Sequence, residues 1–522
     1  MTSDTTPEKA TEAGTEDVEN LQNTATYLER NAASGLSQEH QQYLLQRHGT
    51  LELDPIPGMG GADPYNWPSW KKVSNLVLVA IHAMMSTFTA ASIIPAYQII
   101  AQDLGVSLQR VTYLTSLQIA ILGVAPLLWK PFSNTYGRRP LFLLSLIFSL
   151  VGNIGCAKSP SYATMALCRA IVAFFICPAA AIGSAIVTET FFKKDRARYI
   201  GIWTLMVTIG VPIAPFIFGF VANDVGYRWI YWILAMINGA QFILYFFFGP
   251  ETRYIRSAGH HTGSEFKQEY FNFKRIDPRP LRFGDFTHPL ILFTKLCVVI
   301  PAIAYAMTFL FGSVLITVEL PQLFGQKFGF NSQQLGLQFL GLIIGSVIGE
   351  QIGGSLSDFW MNRRAKTTGT KPAPEYRLWL SYSGFVLTII GVVVFLVQTA
   401  HAKEKHWNIT PVVGIAIAGA GNQLVTTVLI TYAVDCHQEE SASVGVIITL
   451  IRQIWGFIGP FWFPPMFTNV GVAASGGVVA ALIIGVSIFP TILVQWQGHK
   501  WRGEERDIAA LDHDQATDQS KG

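Results

Sequence analysis

Charged residues are scarce in this chain. Asp, Glu, Lys and Arg make up 14% of its 522 residues, against about 25% in a soluble domain. The net charge of +3 gives no reason to expect a nucleic-acid partner. Cysteine is scarce too. Cys156, Cys168, Cys177, Cys297 and Cys436 show neither CxxC nor metal-ligand spacing, so no disulfide or zinc framework is readable. They read as small apolar packing residues. There is no Walker A loop, which argues against an ATP-driven pump. No metal cluster, GxSxG elbow or supported catalytic triad is found, so neither an enzyme nor a cofactor is expected. Residues 1–50 are rich in Thr, Glu and Gln. They lack the apolar core of about 7–15 residues that a signal peptide needs. Residues 1–72 therefore read as a disordered tail.

What the chain has in abundance is long apolar runs. Twelve occur, at 73–100, 111–130, 140–157, 161–190, 198–221, 229–249, 289–316, 333–357, 378–400, 411–434, 442–467 and 472–496. About 20 apolar residues cross a bilayer, and lipid forces each backbone group to be satisfied within its own segment. These runs predict spans 1–12 of an all-α membrane protein. Lys130, Arg138 and Arg139 follow span 2, and Lys193, Lys194, Arg196 and Arg198 follow span 4. Arg253, Arg256, Lys267, Lys274, Arg275, Arg279 and Arg282 follow span 6, and Arg363, Arg364, Lys366, Lys371 and Arg377 follow span 8. The opposite loops are poor in both residues. The positive-inside rule puts the basic side and both termini in the cytoplasm. The loop 435–441 has acids and no Lys or Arg, but acids count little in this rule.

A polar stretch at 250–288 divides the spans six and six. It separates a bundle over 73–249 from one over 289–497, with a cytoplasmic tail at 498–522. The halves echo each other. Pro131-Phe-Ser-Asn-Thr-Tyr-Gly-Arg-Arg-Pro140 after span 2 answers Gly353-Gly-Ser-Leu-Ser-Asp-Phe-Trp-Met-Asn-Arg-Arg364 after span 8. Gly210, Pro212, Pro215 and Gly219 in span 5 answer the Gly/Pro-rich run 456–465 in span 11. Duplicated halves around a mid-membrane site are a transporter architecture.

Over about residues 60–502 the chain resembles the major facilitator superfamily, and more narrowly the fungal twelve-span drug:proton antiporters. The resemblance rests on Asp63-Pro-Tyr-Asn-Trp-Pro68, Tyr136-Gly-Arg-Arg-Pro140, Arg169, the span 5 motif, Pro250-Glu-Thr252, Pro374-Glu-Tyr-Arg-Leu378 and Thr431-Tyr-Ala-Val-Asp435. It implies two pseudo-symmetric six-helix bundles. It also implies a gating motif at Asn134, Gly137, Arg138 and Arg139, echoed by Gly354, Asp358, Arg363 and Arg364. The family has an acid where this chain has Asn134, and a leading Gly where it has Lys130, so a hydrogen bond or a weaker lock is expected in place of an ion pair. The alternative is that these arginines only anchor the loops. By the same resemblance the span 5 motif is associated with antiport, with a packing kink as the alternative. Arg169 matches a buried arginine implicated in proton coupling.

Other residues stand on their own chemistry. Gly341, Gly345, Gly349 and Gly353 repeat every four residues in span 8 and predict close packing. Glu350 nearby is an intramembrane acid, a functional candidate by default, with a satisfied hydrogen-bonding residue as the alternative. Arg452 is a further buried charge. Glu189 and Asp435 sit near the expected cytoplasmic helix ends, where a gating pair and plain solvent contact explain them equally, and a lone His82 reads as packing. Asn422, Gln423 and Thr427, with Trp203, Phe216 and Tyr432 as aromatic walls, suit a cavity for an organic molecule. Asn408 opens a glycosylation triplet, against which Pro411 and the nearby membrane argue. The expectation is a monomeric, proton-coupled exporter of small organic molecules, working between lipid, protons and substrate. The plasma membrane is its expected site. The alternatives are a proton symporter taking up a solute such as a polyamine, or a non-transporting sensor on the same fold.

Overall fold

A backbone in hydrocarbon has no water to bond, so apolar runs of this length become helices. In the computed structural model, residues 36–255, 265–271, 274–369, 372–437 and 440–502 are described. Twelve helices among them are long and apolar enough to cross a membrane. They are α1 (Ser69–Asp103), α2 (Leu108–Tyr136), α3 (Arg138–Ala157), α4 (Tyr162–Thr190), α5 (Lys193–Asp224) and α6 (Arg228–Phe248) in the first half. The second half holds α7 (Leu296–Phe328), α8 (Ser332–Thr368), α9 (Pro374–His401), α10 (Thr410–Cys436), α11 (Ser441–Val470) and α12 (Val472–Arg502). The tails 1–35 and 503–522, and residues 256–264 of the central loop, lie outside the described residues.

Several helices run past the apolar stretches that announce them. α2 continues to Tyr136, so Pro131–Tyr136 is helical and the turn is confined to Gly137, at φ +95°. α8 continues to Thr368, which puts Arg363 and Arg364 on a helical extension instead of in a loop. α7 is displaced most: it starts at Leu296 and ends at Phe328, capped by Gly329 at φ +69°. Polar residues at helix ends reach the interface without breaking the helix, so the fall in hydropathy marks the lipid boundary and not the helix terminus.

The expected disorder of residues 1–72 does not hold for residues 36–68. Ser37 caps a helix at Gln38–His48, with Leu44 fully buried. The Asp63 carboxylate accepts from the N–H groups of Gly58 and Tyr65 at 2.8 and 3.1 Å. Asn66 Nδ2 donates to the carbonyls of Gly58 and Gly60. The Tyr65 hydroxyl donates to the Thr188 carbonyl at the end of α4. The Asp63–Pro68 motif is thus a clasp that holds this segment against the basic end of the first half.

Small residues set the packing of the second half. A Cβ on Gly341, Gly345, Gly349 or Gly353 would meet α10 at Val412, Ala416, Ala420 or Leu424, each step four residues on. On another face of α10, Gly384 and Gly391 of α9 bring their backbone against Val425 and Ala418. This is close approach of the kind that drives helix association in lipid.

The halves meet where α2 lies along α11 and α5 along α8. Contact is tight at the end away from the basic loops. Gln109 Nε2 donates to the Pro460 carbonyl at 2.6 Å, and Tyr113 stacks on Phe461 at 4.5 Å. Gly219 lies against the backbone of Ser332 and Gly336. Toward the basic end α5 loses its cover: Tyr199–Thr208 holds no buried residue, whereas Gly210, Pro212, Ala214 and Gly219 are buried.

Candidate functional site

Two groups of polar residues stand out, one at the basic end and one inside the spans. The first begins with the turn at Gly137. Its positive φ favours glycine, and a Cβ there would fall on the Glu251 carboxylate. A residue without a side chain cannot cap α3 itself. Glu251 does so from beyond the end of α6, accepting the backbone N–H groups of Arg138 and Arg139 at 2.8 and 2.9 Å and that of Arg253 at 2.8 Å. Burial pushes the Glu251 carboxyl up from its ordinary range, and these three donors pull it back. The Arg139 guanidinium donates to the carbonyls of Tyr245, Phe246 and Gly249, which satisfies the orphan acceptors at the C-terminus of α6.

Arg138 gathers the neighbouring charge and hydrogen bonds. Its guanidinium pairs with Glu189 of α4 at 2.7 Å and donates to Asn134 Oδ1 at 3.0 Å and to Ser133. The Thr252 hydroxyl also donates to Glu189, at 2.9 Å. Asn134 therefore gives the expected hydrogen bond, while Glu189 restores the ion pair from another helix. Lys130 Nζ donates to Ser443 Oγ of α11 at 2.7 Å, a contact between halves at the basic end. In the second half the acids Asp358 and Asp435 gather around Arg377, at 3.6 and 3.4 Å. Arg363 and Arg364 are exposed, and Arg364 lies over the Tyr376 ring. Gly354 has open space around it. The second copy of the motif thus places Asp358 in an ion-pair cluster, with Arg377 as its cation and not the two arginines that follow in sequence.

Inside the spans, Arg169 is 1% exposed. It donates to the carbonyls of Ala90 and Leu114, to the Tyr231 hydroxyl and to Gln118 Oε1. One side chain of α4 thereby ties α1, α2 and α6 together through neutral acceptors. Glu350 of α8 accepts from Gln423 Nε2 of α10 at 2.9 Å. Asn422 Nδ2 donates to Gln423 Oε1 at 3.3 Å, and the Thr427 hydroxyl donates to the Gln423 carbonyl at 3.1 Å. Arg452 of α11 donates to the Tyr305 hydroxyl at 3.1 Å and lies 4.8 Å from the Phe309 ring centroid.

A second carboxyl inside the membrane is Glu319 of α7, 2% exposed. Gln322 Nε2 donates to its Oε2 at 3.1 Å, and its buried Oε1 has no hydrogen-bond partner among the described residues. Sequence reading missed it because the seventh apolar run was closed at residue 316. The helix itself runs over Leu296–Phe328 and carries Glu319 within the span.

A sequence profile of the Major Facilitator Superfamily matches residues 79–460. The chain belongs to the major facilitator superfamily. Among its relatives is the uncharacterized transporter mfc1 of Schizosaccharomyces pombe, 24% identical over 84% of this chain and 93% of that protein. The efflux pump radE of Floropilus chiversii is 24% identical over 85% of this chain and 84% of its own length. Among solved structures, a bacterial homologue of the human lysosomal transporter Spinster, in an inward-facing and unoccupied conformation, superposes with a TM-score of 0.54. That match is 13% identical and covers 84% of this chain and 96% of the other; it supports the fold of this superfamily member.

The remaining expected residues divide. Asn422, Gln423 and Thr427 come together with Glu350, as above. Trp203 lies in the other half, its indole donating to the Ala179 carbonyl at 3.3 Å over Gly183. Tyr432 is fully buried near Glu375 and Gly498 and walls no open space. The span 5 motif has two different neighbours. A Cβ on Gly210 would meet Thr87 and Met84 of α1, inside the first half, while one on Gly219 would meet α8 of the second. The close crossing between halves is therefore at Gly219, with Pro215 contributing its carbonyl against Gly336, and Pro212 buried beside Gly210. Asn408 is exposed, and its Oδ1 accepts from the N–H and hydroxyl of Thr410.

Proposed function

We propose that this transporter is a proton-coupled exporter of small organic molecules, working by the rocking of two six-helix halves. The observation that carries the proton reading is the pair of intramembrane carboxyls, Glu319 and Glu350, whose hydrogen-bond partners are amides and not cations. An isolated carboxylate is expensive in such a setting. Each group is therefore suited to hold a proton while closed off and to release it when the opposite conformation admits water. Arg169 and Arg452 act by shaping the field around them, since an arginine does not give up its own proton. The likeness to a fungal efflux pump supports export. The basic end faces the cytoplasm, and the protein acts as a monomer in the plasma membrane.

Purified protein in liposomes with an entrapped pH dye tests this against a panel of amphipathic organic cations and anions. An exporter moves protons opposite to each transported compound, and the sign of the pH change separates export from uptake by symport. Glu350→Gln and Glu319→Gln are expected to keep compound binding while lowering proton-driven flux at least tenfold. Compounds that bind with no flux, or flux with no proton movement, would remove proton coupling.

A further inference from the structure

A cavity of about 340 Å³ opens at the basic end of the first half, between the N-terminal segment, the start of α1 and the α4–α5 turn. Arg47, Lys72 and Lys194 line it, with Asp195 as the opposing acid and His48 at its side. Arg47 and Lys72 are fixed in place. Arg47 donates to the Asn66 carbonyl at 2.6 and 3.1 Å. Lys72, 8% exposed, donates to the Tyr65 carbonyl at 2.8 Å and lies 5.1 Å from the Phe192 ring centroid. α1 and α5 begin here, just after Pro68 and Phe192, and neither of these residues supplies a capping side chain. The partial positive charges of two long helices add to the three cations.

The rest of the wall is apolar. Phe191 and Tyr199 stack at 3.8 Å and line the cavity together with Val73. Val73 and its neighbour Trp70, in the first turns of the first apolar span, are 39% and 66% exposed. A rim of cations beside an apolar wall at the start of two membrane-spanning helices matches a phosphate ester that carries acyl chains, and a soluble anion would leave the apolar part unused. We propose that this cavity binds the headgroup of an anionic phospholipid of the leaflet at the basic end. The bound lipid would join the N-terminal segment to α1 and α5. This assignment is independent of the transported substrate and of proton coupling.

The test uses the full-length protein in detergent, with native mass spectrometry and thermal unfolding as readouts. The probes are phosphatidylserine, phosphatidylinositol 4-phosphate, phosphatidylcholine and inorganic phosphate. Anionic lipid should be retained over phosphatidylcholine and should raise the unfolding temperature. Lys194 is exposed, so its replacement is tolerated by the fold. A basic residue near a charged leaflet is worth about 1 kcal/mol. Lys194→Gln should therefore weaken anionic-lipid binding about fivefold and Lys194→Glu about thirtyfold. Lys366→Glu, exposed on the α8 extension at the same end, should leave it unchanged. Equal loss in Lys366→Glu would reduce the effect to general surface charge and overturn the site. So would equal retention of phosphatidylcholine. Inorganic phosphate binding with the same Lys194 dependence, and displacing the lipid, would make this a free-phosphate site and overturn the lipid assignment.

Discussion

Gly137 shows how much one position can carry. Its φ of +95° and the Glu251 carboxylate lying where a Cβ would stand exclude any side chain. Alanine must either strain the backbone or displace the acid that caps α3, and strain of this kind costs about 1–3 kcal/mol. Loss of the cap adds about 1 kcal/mol. We expect Gly137→Ala to lower stability by at least about 2 kcal/mol in detergent, measured by thermal unfolding, whatever its effect on transport. An unchanged unfolding temperature would show that the turn relaxes freely. Around it the sequence was legible only in part. Arg138 and Arg139 could be named from their motif, but their roles differ: one pairs with Glu189, the other caps α6 through three carbonyls. Neither partner is near in sequence, so local pattern held no trace of them.

At the scale of the helix, the two glycines of α5 make separable predictions. Gly219 meets the α8 backbone across the boundary between halves, and Gly210 meets α1 within one half. Overpacking a filled site costs about 1–3 kcal/mol. Gly210→Ala should lower the unfolding temperature and membrane yield. Gly219→Leu should leave the first half folded but prevent the end away from the basic loops from closing. It would be seen as a loss of flux at normal surface abundance. If both variants lose stability and neither loses flux per molecule, α5 is a packing element only. Helix existence was readable throughout, because twelve apolar runs leave no other backbone solution in lipid. Helix ends were not, because charge marks the interface and not the last hydrogen bond. That is why Glu319 and the α8 extension were misplaced. The four-residue glycine repeat of span 8 was read correctly, since period four on one helix already fixes a single face.

At the scale of the molecule, the halves are closed at one end and less covered at the other, and the proposed orientation puts the less covered, basic end in the cytoplasm. Positive charge held back from translocation identifies the cytoplasmic side. The clusters around Arg138 and Arg377 lie at that same end. Ser332 is buried at the contact with Gly219 and so makes a poor reporter of sidedness. Glu404 in the opposite α9–α10 loop and Thr368 at the tip of α8 are both exposed. In a cysteine-free background, Glu404→Cys should react with an impermeant maleimide on intact cells. Thr368→Cys should react only after permeabilisation. The reverse pattern would invert the topology and place the looser end outside. The lipid cavity beside Lys194 would then face the wrong leaflet for anionic phospholipid. Sidedness therefore tests the charge rule and the lipid site together.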